Sequence, residues 1–286
     1  MQLGPTGIDL SAEPDYVLVG HVTRDLFGVD QRLGGTVLYA GVAAARLGRR
    51  VGIVTAFETS LVLPPEAAGL AVSRAASDRT TTFRIDHVGG GRRLSLLDRA
   101  PRIECSDAPQ RWRRSPIVHL APVADETSPE LAACFPKSWT GATAQGWLRD
   151  PYGDVTTARW SRSAAQLGNE RFGAIVVSDD DLRDNSDVGL FTQHAECVVV
   201  THGASGCTVH VVGQTIEVPA CAADEVDSTG AGDVFAAAFF VRLNETRDPV
   251  SSARFAACAA GLSIEGVGLS RIPTREQVVV RLAMGG

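Results

Sequence analysis

The chain has 286 residues, of which 44% are hydrophobic and 21% are charged, proportions that are usual for a soluble globular protein. This length allows one large domain or two small ones. The net charge of −6 argues against nucleic acid and anionic membranes as main partners, because both bind basic surfaces.

Two further features of the composition exclude particular kinds of site. Lys137 is the only lysine and it follows Pro136, so the chain lacks a Walker A phosphate loop. No two cysteines lie within three residues of each other, which excludes the C-x-x-C pattern of zinc and redox sites. Most of the six cysteines lie in apolar runs, so we expect reduced core residues in a cytoplasmic protein. The sequence shows neither a signal-peptide pattern nor an apolar run of about 18 residues, so no membrane span is expected.

The N-terminal part of the chain alternates strand and helix patterns. Residues 15–20 are an apolar run that predicts a buried strand, and residues 50–57 predict a second one. Between them, residues 36–47 predict a helix that a glycine ends. Residues 80–85 and 92–97 flank three glycines and predict a β-hairpin outside the core.

The rest of the chain continues this alternation. The expected strands lie at residues 117–120, 140–145, 174–177 and 197–201, and the expected helices lie at 188–194, 231–243, 249–264 and from 273 onward, with Thr274 as an N-cap. Strands that alternate with helices predict an α/β fold with a doubly wound, mostly parallel sheet and helices on both faces. No repeat or linker divides the chain, so we expect one domain over residues 1–286.

The stretch 227–235 (Asp-Ser-Thr-Gly-Ala-Gly-Asp-Val-Phe) is the most informative motif. Gly230, Ala231 and Gly232 let a ligand approach the backbone at the start of an apolar helix, where unpaired N–H groups and the helix dipole favour phosphate. Asp233 in the first turn could accept a proton from an attacking hydroxyl while these donors stabilise the transferring phosphoryl group. The alternative is an ordinary helix start with a Ser/Thr cap and an acidic first turn.

The same motif resembles the D-T-G-A-G-D signature of the ribokinase-like (PfkB-type) carbohydrate kinase family, with Ser228 as a departure. Other segments resemble the family in the same order along the chain: residues 20–25, Gly34-Gly35 with residues 44–48, and a T-x-G-x-x-G loop at residues 201–206. The resemblance implies a ribokinase-like fold whose small β lid comes from about residues 79–98, with a short contribution from 26–33. It also implies phosphorylation of a hydroxyl group with ATP and Mg²⁺.

Roles for individual residues follow from the resemblance. Asp233 would be the catalytic base, and the anion hole would be formed by Gly230, Ala231 and Gly232. The acceptor would be held by Asp25, Gly34 and Gly35, and the ATP site would be lined by Ser178, Thr201, Gly203 and Gly206. Asp181 would order magnesium, as the glutamate of the family's N-x-x-E motif does. Potassium-activated members bind the cation near the signature, which points here to Asp227 and Thr229.

Three departures from the family pattern bear on these roles. Tyr39 stands where many members have an asparagine, which disfavours ribose as the acceptor; its alternative role is to pack on a helix face. Residues 178–181 (Ser-Asp-Asp-Asp) replace N-x-x-E and could instead form a solvated acidic turn. Only eight residues separate Asp25 from Gly34, so the lid should rest mainly on the 80–97 hairpin. We therefore expect a monomer or a weak dimer.

Residues 145–149 (Gln-Gly-Trp-Leu-Arg) follow an expected strand and should reach the rim of the site. Trp147 could stack on a ring of the acceptor, and Arg149 could pair with phosphate. The alternative for Trp147 is packing beneath a loop. Together with Tyr39 and the short lid, this segment is similar to the branch of the family that includes plant inositol kinases.

The leading hypothesis is transfer of the γ-phosphoryl group of ATP to a hydroxyl of a small sugar or polyol, inositol-like acceptors included. A nucleoside kinase and a non-catalytic ligand sensor on the same fold are the alternatives, although a sensor has no need of Asp233. A nicotinamide oxidoreductase is disfavoured because residues 20–23 do not begin a G-x-G-x-x-G motif. For Asp25, the alternative is an exposed ion pair with Arg24 or Arg32.

Overall fold

The structure is a computed structural model that describes residues 13–88, 91–149, 167–182 and 186–285. In chain order the strands are β1 (Tyr16–Val19), β2 (Thr23–Phe27), β3 (Asp30–Gly34), β4 (Val51–Ala56), β5 (Ala71–Ala75), β6 (Thr81–Val88), β7 (Gly91–Asp98), β8 (Ile117–Leu120), β9 (Trp139–Thr143), β10 (Ala174–Ser178), β11 (Cys197–Thr201), β12 (Cys207–Val211) and β13 (Gln214–Val218). The helices are α1 (Thr36–Arg46), α2 (Gln145–Leu148), α3 (Ser186–Phe191), α4 (Ala231–Thr246), α5 (Pro249–Ser263) and α6 (Arg275–Ala283).

Within the described residues, one large sheet has the order β13-β12-β11-β10-β9-β8-β1-β4-β5. The strands from β11 to β5 pair in parallel, whereas β12 and β13 add an antiparallel hairpin at one edge. The order reverses at β1, since β4 and β5 lie on one side of it and β8 to β11 lie on the other. Ligands of doubly wound sheets bind at such a switch point, outside the carboxyl ends of the strands.

Alternating side chains of the buried strands supply two cores, one on each face of the large sheet. Tyr16 and Leu18 of β1 pack on the face covered by α1, α4 and α5. Val17 and Val19 point to the other face, where they join a cluster that contains Trp112. Burying each large apolar side chain stabilises the fold by about 1.5–3 kcal/mol. The prediction of a mostly parallel sheet covered on both faces is confirmed.

A second, four-stranded sheet with the order β3-β2-β6-β7 lies beside the large one. β2 pairs antiparallel with β3 and parallel with β6, and β6 and β7 form the predicted hairpin. Phe83 and Ile85 of β6 pack against Val123 and Ala124, which follow β8. This small sheet therefore sits over the carboxyl edge of the large sheet, and we refer to it as the lid sheet.

Several elements differ from the sequence prediction. Residues 26–33 were expected to contribute to the lid, but the sequence pattern did not identify β2 and β3 as strands, because their residues are mostly half-buried or exposed and show no clean apolar alternation. The expected helix at 188–194 begins earlier and ends at Phe191. α6 follows the prediction, since Thr274 caps it and its hydroxyl accepts a hydrogen bond from the Gln277 N–H.

Two cysteines contradict the expectation that all six are reduced. Cys105 and Cys134 form a disulfide, with their Cα atoms 5.9 Å apart, within the range that disulfides require. They are separated by 29 residues, so only the fold brings them together. The four free cysteines are buried, as expected: Cys197, Cys207, Cys221 and Cys258. Over the described parts of the chain, no helix is long and apolar enough to cross a membrane.

Candidate active site

The signature motif forms the N-terminus of α4. Gly230 is the N-cap and has φ 80°, in the left-handed region that favours glycine. A Cβ on Gly230 would also lie 2.2 Å from the ring of Tyr39. Tyr39 is only 4% exposed and packs beneath this turn, which corresponds to the alternative of a packed aromatic. We therefore remove Tyr39 from the residues expected to contact the acceptor.

Gly232 faces open space one residue into the helix. A Cβ built on Gly232 would have no atom within 4 Å of it. The backbone N–H groups of the first turn have no partner within the helix, and the helix dipole adds partial positive charge there. An anion of the size of a phosphoryl group can therefore approach the backbone of this turn.

Asp233 lies in the same turn and is held by hydrogen bonds from two other elements. The Thr36 hydroxyl of α1 donates to Asp233 Oδ1 at 2.8 Å. The Gln145 amide of α2 lies 3.4 Å from the same oxygen and 2.7 Å from Thr36 Oγ1. The base expected from the motif thus sits where the N-termini of α1 and α4 meet.

The environment of Asp233 raises the pKa of its carboxyl group toward neutral pH. Burial raises the pKa of Asp233 to about 6, against the hydrogen bond from Thr36, which lowers it. The positive charge of Arg149 also lowers the pKa, whereas the charges of Asp25 and Asp181 raise it. A carboxylate with a pKa near 6 is largely ionised at neutral pH and is a stronger base than an ordinary aspartate.

The segment after β9 divides its side chains between the site and the core. Arg149 Nη2 donates to Gln145 Oε1 at 3.0 Å, and its guanidinium lies 6.0 Å from the ring centroid of Phe83 in the lid sheet. Trp147 is 1% exposed, and its indole N–H donates to the Thr127 carbonyl at 2.6 Å. The expectation that Trp147 stacks on the acceptor is corrected: its ring is core, whereas Arg149 reaches the site.

Asp25 lies on β2, at the side of the site that the lid sheet covers. Thr23 Oγ1 donates to Asp25 Oδ1 at 2.9 Å. A Cβ on Gly34 would lie 2.6 Å from Asp25 Oδ2, so glycine allows β3 to approach this carboxylate. Gly35 has φ 87° and caps α1. The structure thus groups the three residues expected to hold the acceptor: Asp25, Gly34 and Gly35.

The ion pairs considered as an alternative for Asp25 are made with other carboxylates. Arg24 pairs with Glu58 at 2.8 Å. Arg32 pairs with Asp227 at 3.0 Å.

Glu126 is a buried carboxylate at the switch point that sequence reasoning missed. It is 0% exposed and accepts hydrogen bonds from the backbone N–H groups of His21, Val123 and Ala124. Glu126 therefore fixes the loop after β1 to the loop after β8, at the carboxyl edge of the large sheet. No local motif marks this residue, because its partners are backbone groups that only the fold brings together.

The residues expected to line an ATP site gather at the ends of β10 and β11. Ser178 and Thr201 are paired in the parallel register of these strands. Gly206 has φ 95°, and a Cβ there would lie 2.2 Å from the Val218 carbonyl oxygen. Gly203 has φ 53° and faces open space. The loop 201–206 can therefore approach a ligand closely with its backbone.

The acidic turn after β10 lies on the same side. Ser178 Oγ accepts a hydrogen bond from the Asp180 N–H at 3.3 Å and so caps the turn. His202, which the sequence analysis did not single out, has its ring nitrogens 2.8 Å from Asp179 Oδ2 and from Thr208 Oγ1. Burial raises the pKa of Asp181, and the charge of Arg149 opposes this shift.

The carboxylates fit the expected divalent cation better than a monovalent one. No group of three or more acidic, histidine or cysteine side chains in the described residues could hold a metal alone. Magnesium commonly uses one or two carboxylates together with substrate phosphates, and Asp181 suits that role.

Asp227 already accepts hydrogen bonds from the Thr229 and Gly268 N–H groups and pairs with Arg32. A potassium ion beside Asp227 would be repelled by this guanidinium, so the residues do not fit the expected potassium site.

Asp227 remains strongly acidic in this setting. Burial would raise the pKa of Asp227, but its hydrogen bonds with Thr229 and Gly268 and the charge of Arg32 together lower it below the usual value. The carboxylate is therefore ionised at neutral pH. Its ion pair with Arg32 connects the signature motif to β3 of the lid sheet.

Comparison with known proteins points to one family. The model of the pfkB family carbohydrate kinases matches residues 173–275, which include the ends of β10 and β11 and the signature motif. A ribokinase from Bacillus subtilis is 39% identical over 28% of this chain and 27% of its own length. An inositol 3-kinase from Arabidopsis thaliana is 34% identical over 30% of this chain and 26% of its own. The matches to these two relatives thus span about a quarter of their length.

Longer matches are weaker in identity. A cytidine kinase from Thermococcus kodakarensis is 25% identical over 82% of this chain and 90% of its own length. A solved fructokinase with bound ATP from Xylella fastidiosa has a TM-score of 0.77 and 18% identity, covering 95% of this chain and 99% of its own. At this identity the structural likeness supports the shared fold alone.

Proposed function

The chain belongs to the ribokinase-like (PfkB-type) carbohydrate kinases, and on that premise we propose that it transfers the γ-phosphoryl group of ATP to a hydroxyl of a small sugar or polyol. The observation that carries this proposal is the N-terminus of α4. There, a carboxylate with a pKa of about 6, Asp233, stands beside an open, dipole-bearing turn at Gly232. A base and an anion site side by side suit phosphoryl transfer to a hydroxyl.

The proposed reaction uses this chain's groups in a fixed order. Asp233 accepts the proton of the acceptor hydroxyl as its oxygen attacks the γ-phosphorus. The N–H groups at Gly230, Ala231 and Gly232 stabilise the charge that develops on the phosphoryl oxygens. ADP leaves toward the loop 201–206. Mg²⁺, when bound, neutralises phosphate charge, and Asp181 would hold it.

Arg149 is proposed to contact the phosphoryl group in transfer. The positive charge of Arg149 lowers the pKa of both Asp233 and Asp181, so the guanidinium is near the proposed base and the proposed magnesium ligand. A guanidinium in that position can pair with phosphate oxygens. The other partners are proposed to be the small-molecule acceptor and ATP, with the protein a monomer or a weak dimer.

The nature of the acceptor separates the candidate functions. The similarity to the Arabidopsis inositol 3-kinase favours a polyol, and the longer match to a cytidine kinase favours a nucleoside. Asp25 can accept hydrogen bonds from two neighbouring hydroxyls, an arrangement that polyols, sugars and riboses all offer. A ligand sensor on this fold remains the non-catalytic alternative, and Asp233 disfavours it.

An ATP-consumption screen against polyols, sugars and nucleosides tests the proposal. We expect ADP release that depends on one class of acceptor and on Mg²⁺, together with a phosphorylated product of the corresponding mass. Binding of an acceptor by calorimetry without any ADP release would contradict the proposal and favour the sensor.

Replacing Asp25 by alanine should raise KM for the acceptor and leave KM for ATP nearly unchanged. The carboxylate lies on the lid side of the site, away from the ends of β10 and β11. Turnover should also fall, because the acceptor would lose orientation. Steady-state kinetics with each substrate varied in turn measures both effects. Asp30→Ala, an exposed position on the same hairpin, is the matched control, and a defect confined to ATP would overturn this assignment.

Activity should not require potassium. Arg32 already supplies a positive charge at Asp227, where a monovalent cation would otherwise act. We expect the same rate in potassium chloride and in choline chloride at equal ionic strength. A strong stimulation by potassium alone would show that Arg32 leaves Asp227 when substrates bind.

A further inference from the structure

Four side chains from three separate elements form a continuous chain of hydrogen bonds that ends on Asp233. Arg149 Nη2 donates to Gln145 Oε1 at 3.0 Å. Gln145 Nε2 donates to Thr36 Oγ1 at 2.7 Å. The Thr36 hydroxyl donates to Asp233 Oδ1 at 2.8 Å. The residues lie after β9 and at the starts of α1 and α4. This series of hydrogen bonds therefore connects three helix ends at the site.

The chemistry of each group sets the direction of the hydrogen bonds. An arginine only donates, so the Gln145 atom that faces Arg149 must be the carbonyl oxygen. The amide nitrogen of Gln145 therefore faces Thr36, and this settles the amide orientation. Because the Thr36 oxygen accepts that bond, its own hydrogen is free to point at Asp233. Every donor in the chain points toward the carboxylate and stabilises its ionised form.

The chain of donors treats the two carboxylate oxygens of Asp233 differently. In the part of the chain that the structure describes, the side-chain hydrogen bonds to Asp233, from Thr36 and Gln145, both end on Oδ1. Thr36 is 1% exposed, so solvent does not compete for its hydroxyl. Oδ2 is the oxygen left to meet a substrate.

We propose that Thr36 and Gln145, oriented by Arg149, are positioning residues that hold Oδ1 of Asp233 and leave Oδ2 to take the proton from the acceptor. This inference rests on the proposed role of Asp233 as the base. It assigns a function to Thr36 and Gln145 that the signature motif does not contain. It also gives a role to the polar Gln145, which lies two residues after the buried strand β9.

Other charged groups around Asp233 act in both directions. Arg149 favours its ionised form, whereas Asp25 and Asp181 oppose it. Tyr39 is close enough for the charge of Asp233 to raise the pKa of its phenol, although burial has the larger effect on Tyr39. Of these charged groups, only Arg149 belongs to the series of hydrogen bonds that ends on Asp233, and the other two members, Thr36 and Gln145, are uncharged. Loss of the donors should therefore act on Asp233 without altering any other charge.

The sign of the effect follows from which form the donors favour. The Thr36 hydroxyl stabilises the ionised carboxylate, so it lowers the pKa of Asp233. Removing it should raise that pKa and make the carboxylate lose its charge at a higher pH. Since the ionised form is the active base, the acid limb of kcat/KM should move to higher pH.

Thr36→Val tests this shift because it keeps the shape of the side chain and removes the donor. We expect the acid limb to lie about one pH unit above its wild-type position, the order of effect of one hydrogen bond to a charged group. Thr36→Ser should restore the wild-type limb. Gln145→Leu, which leaves Thr36 without its fixed orientation, should move the limb in the same direction by less. Arg149 is unsuitable for this test, since it is also proposed to contact phosphate.

A second measurement does not need activity. The titration of the Asp233 carboxyl can be followed by NMR in protein labelled with ¹³C at the aspartate carboxyls, with Asp233→Asn to identify the signal. An upward shift in Thr36→Val that Thr36→Ser reverses supports the proposal even if the panel of acceptors yields no product. An unchanged titration in both Thr36→Val and Gln145→Leu, in protein that melts as the wild type does, would overturn it.

Discussion

Replacing Asp233 by asparagine should lower turnover by about 10²–10⁴-fold, the range typical of general base catalysis. Asparagine has nearly the same size and can still accept the hydrogen bond from Thr36, but its amide cannot take a proton at neutral pH. ATP binding should change little, because the residues proposed to line the ATP site lie at the ends of β10 and β11, whereas Asp233 lies on α4. Turnover in the purified variant, with ATP affinity measured by calorimetry, separates the two effects.

The matched control is Asp224→Asn, the same chemical change at an exposed position outside the helix. It should leave both turnover and melting temperature unchanged. Near wild-type turnover in Asp233→Asn would remove Asp233 from the role of base. If the melting temperature of Asp233→Asn fell so far that unfolding accounted for the lost turnover, Asp233 would have a structural role instead.

The sequence contained the local part of this site and not its long-range part. Gly230, Gly232 and Asp233 belong to one short motif, and a glycine run at a helix start has a recognisable physical meaning. The partners Thr36 and Gln145 lie 197 and 88 residues away along the chain from Asp233. Which hydroxyl or amide faces a given carboxylate depends on the packing of α1 and α2 against α4, and no local pattern encodes it.

The same limit explains why the predictions for Trp147 and Arg149, which lie in one short segment, had different outcomes. Trp147 and Arg149 both follow β9, and the sequence could not tell which of them pointed inward. The structure buries Trp147 beside Phe172 and aims Arg149 at the site. Apolar surface decides this, since a tryptophan gains more from burial than a guanidinium, whose charge stays favourable only beside a partner.

The strands of the large sheet were predictable where their burial is complete, whereas two strands of the lid sheet, β2 and β3, were not. β1, β4, β8 and β11 are buried along most of their length, so their apolar runs identified them. β2 and β3 form part of the lid sheet, where one face meets solvent or ligand, and their polar residues resemble a loop. The segments proposed to hold the acceptor thus include two strands whose sequence carries a weak structural signal.

Replacing Gly232 by valine should abolish most of the activity and leave the fold intact. The added side chain would enter the open space beside the first turn of α4, where the phosphoryl group in transfer is proposed to lie. Blocking access to these N–H donors should cost about 10²–10³-fold in kcat, the effect of losing one donor of an oxyanion hole. Stability should hold or rise slightly, because glycine is the poorer helix former by a few tenths of a kcal/mol.

Gly230→Ala, in the same turn, should differ from Gly232→Val by losing stability as well as activity. Its methyl group would meet the Tyr39 ring at 2.2 Å on a backbone with φ 80°, so the melting temperature should fall together with activity. The two variants therefore separate a glycine that the fold needs from a glycine that the ligand needs. If Gly232→Val kept a normal kcat while Gly230→Ala lost its stability as expected, the transferring phosphoryl group would have to bind away from the N-terminus of α4, and the proposed roles of its N–H groups would be wrong.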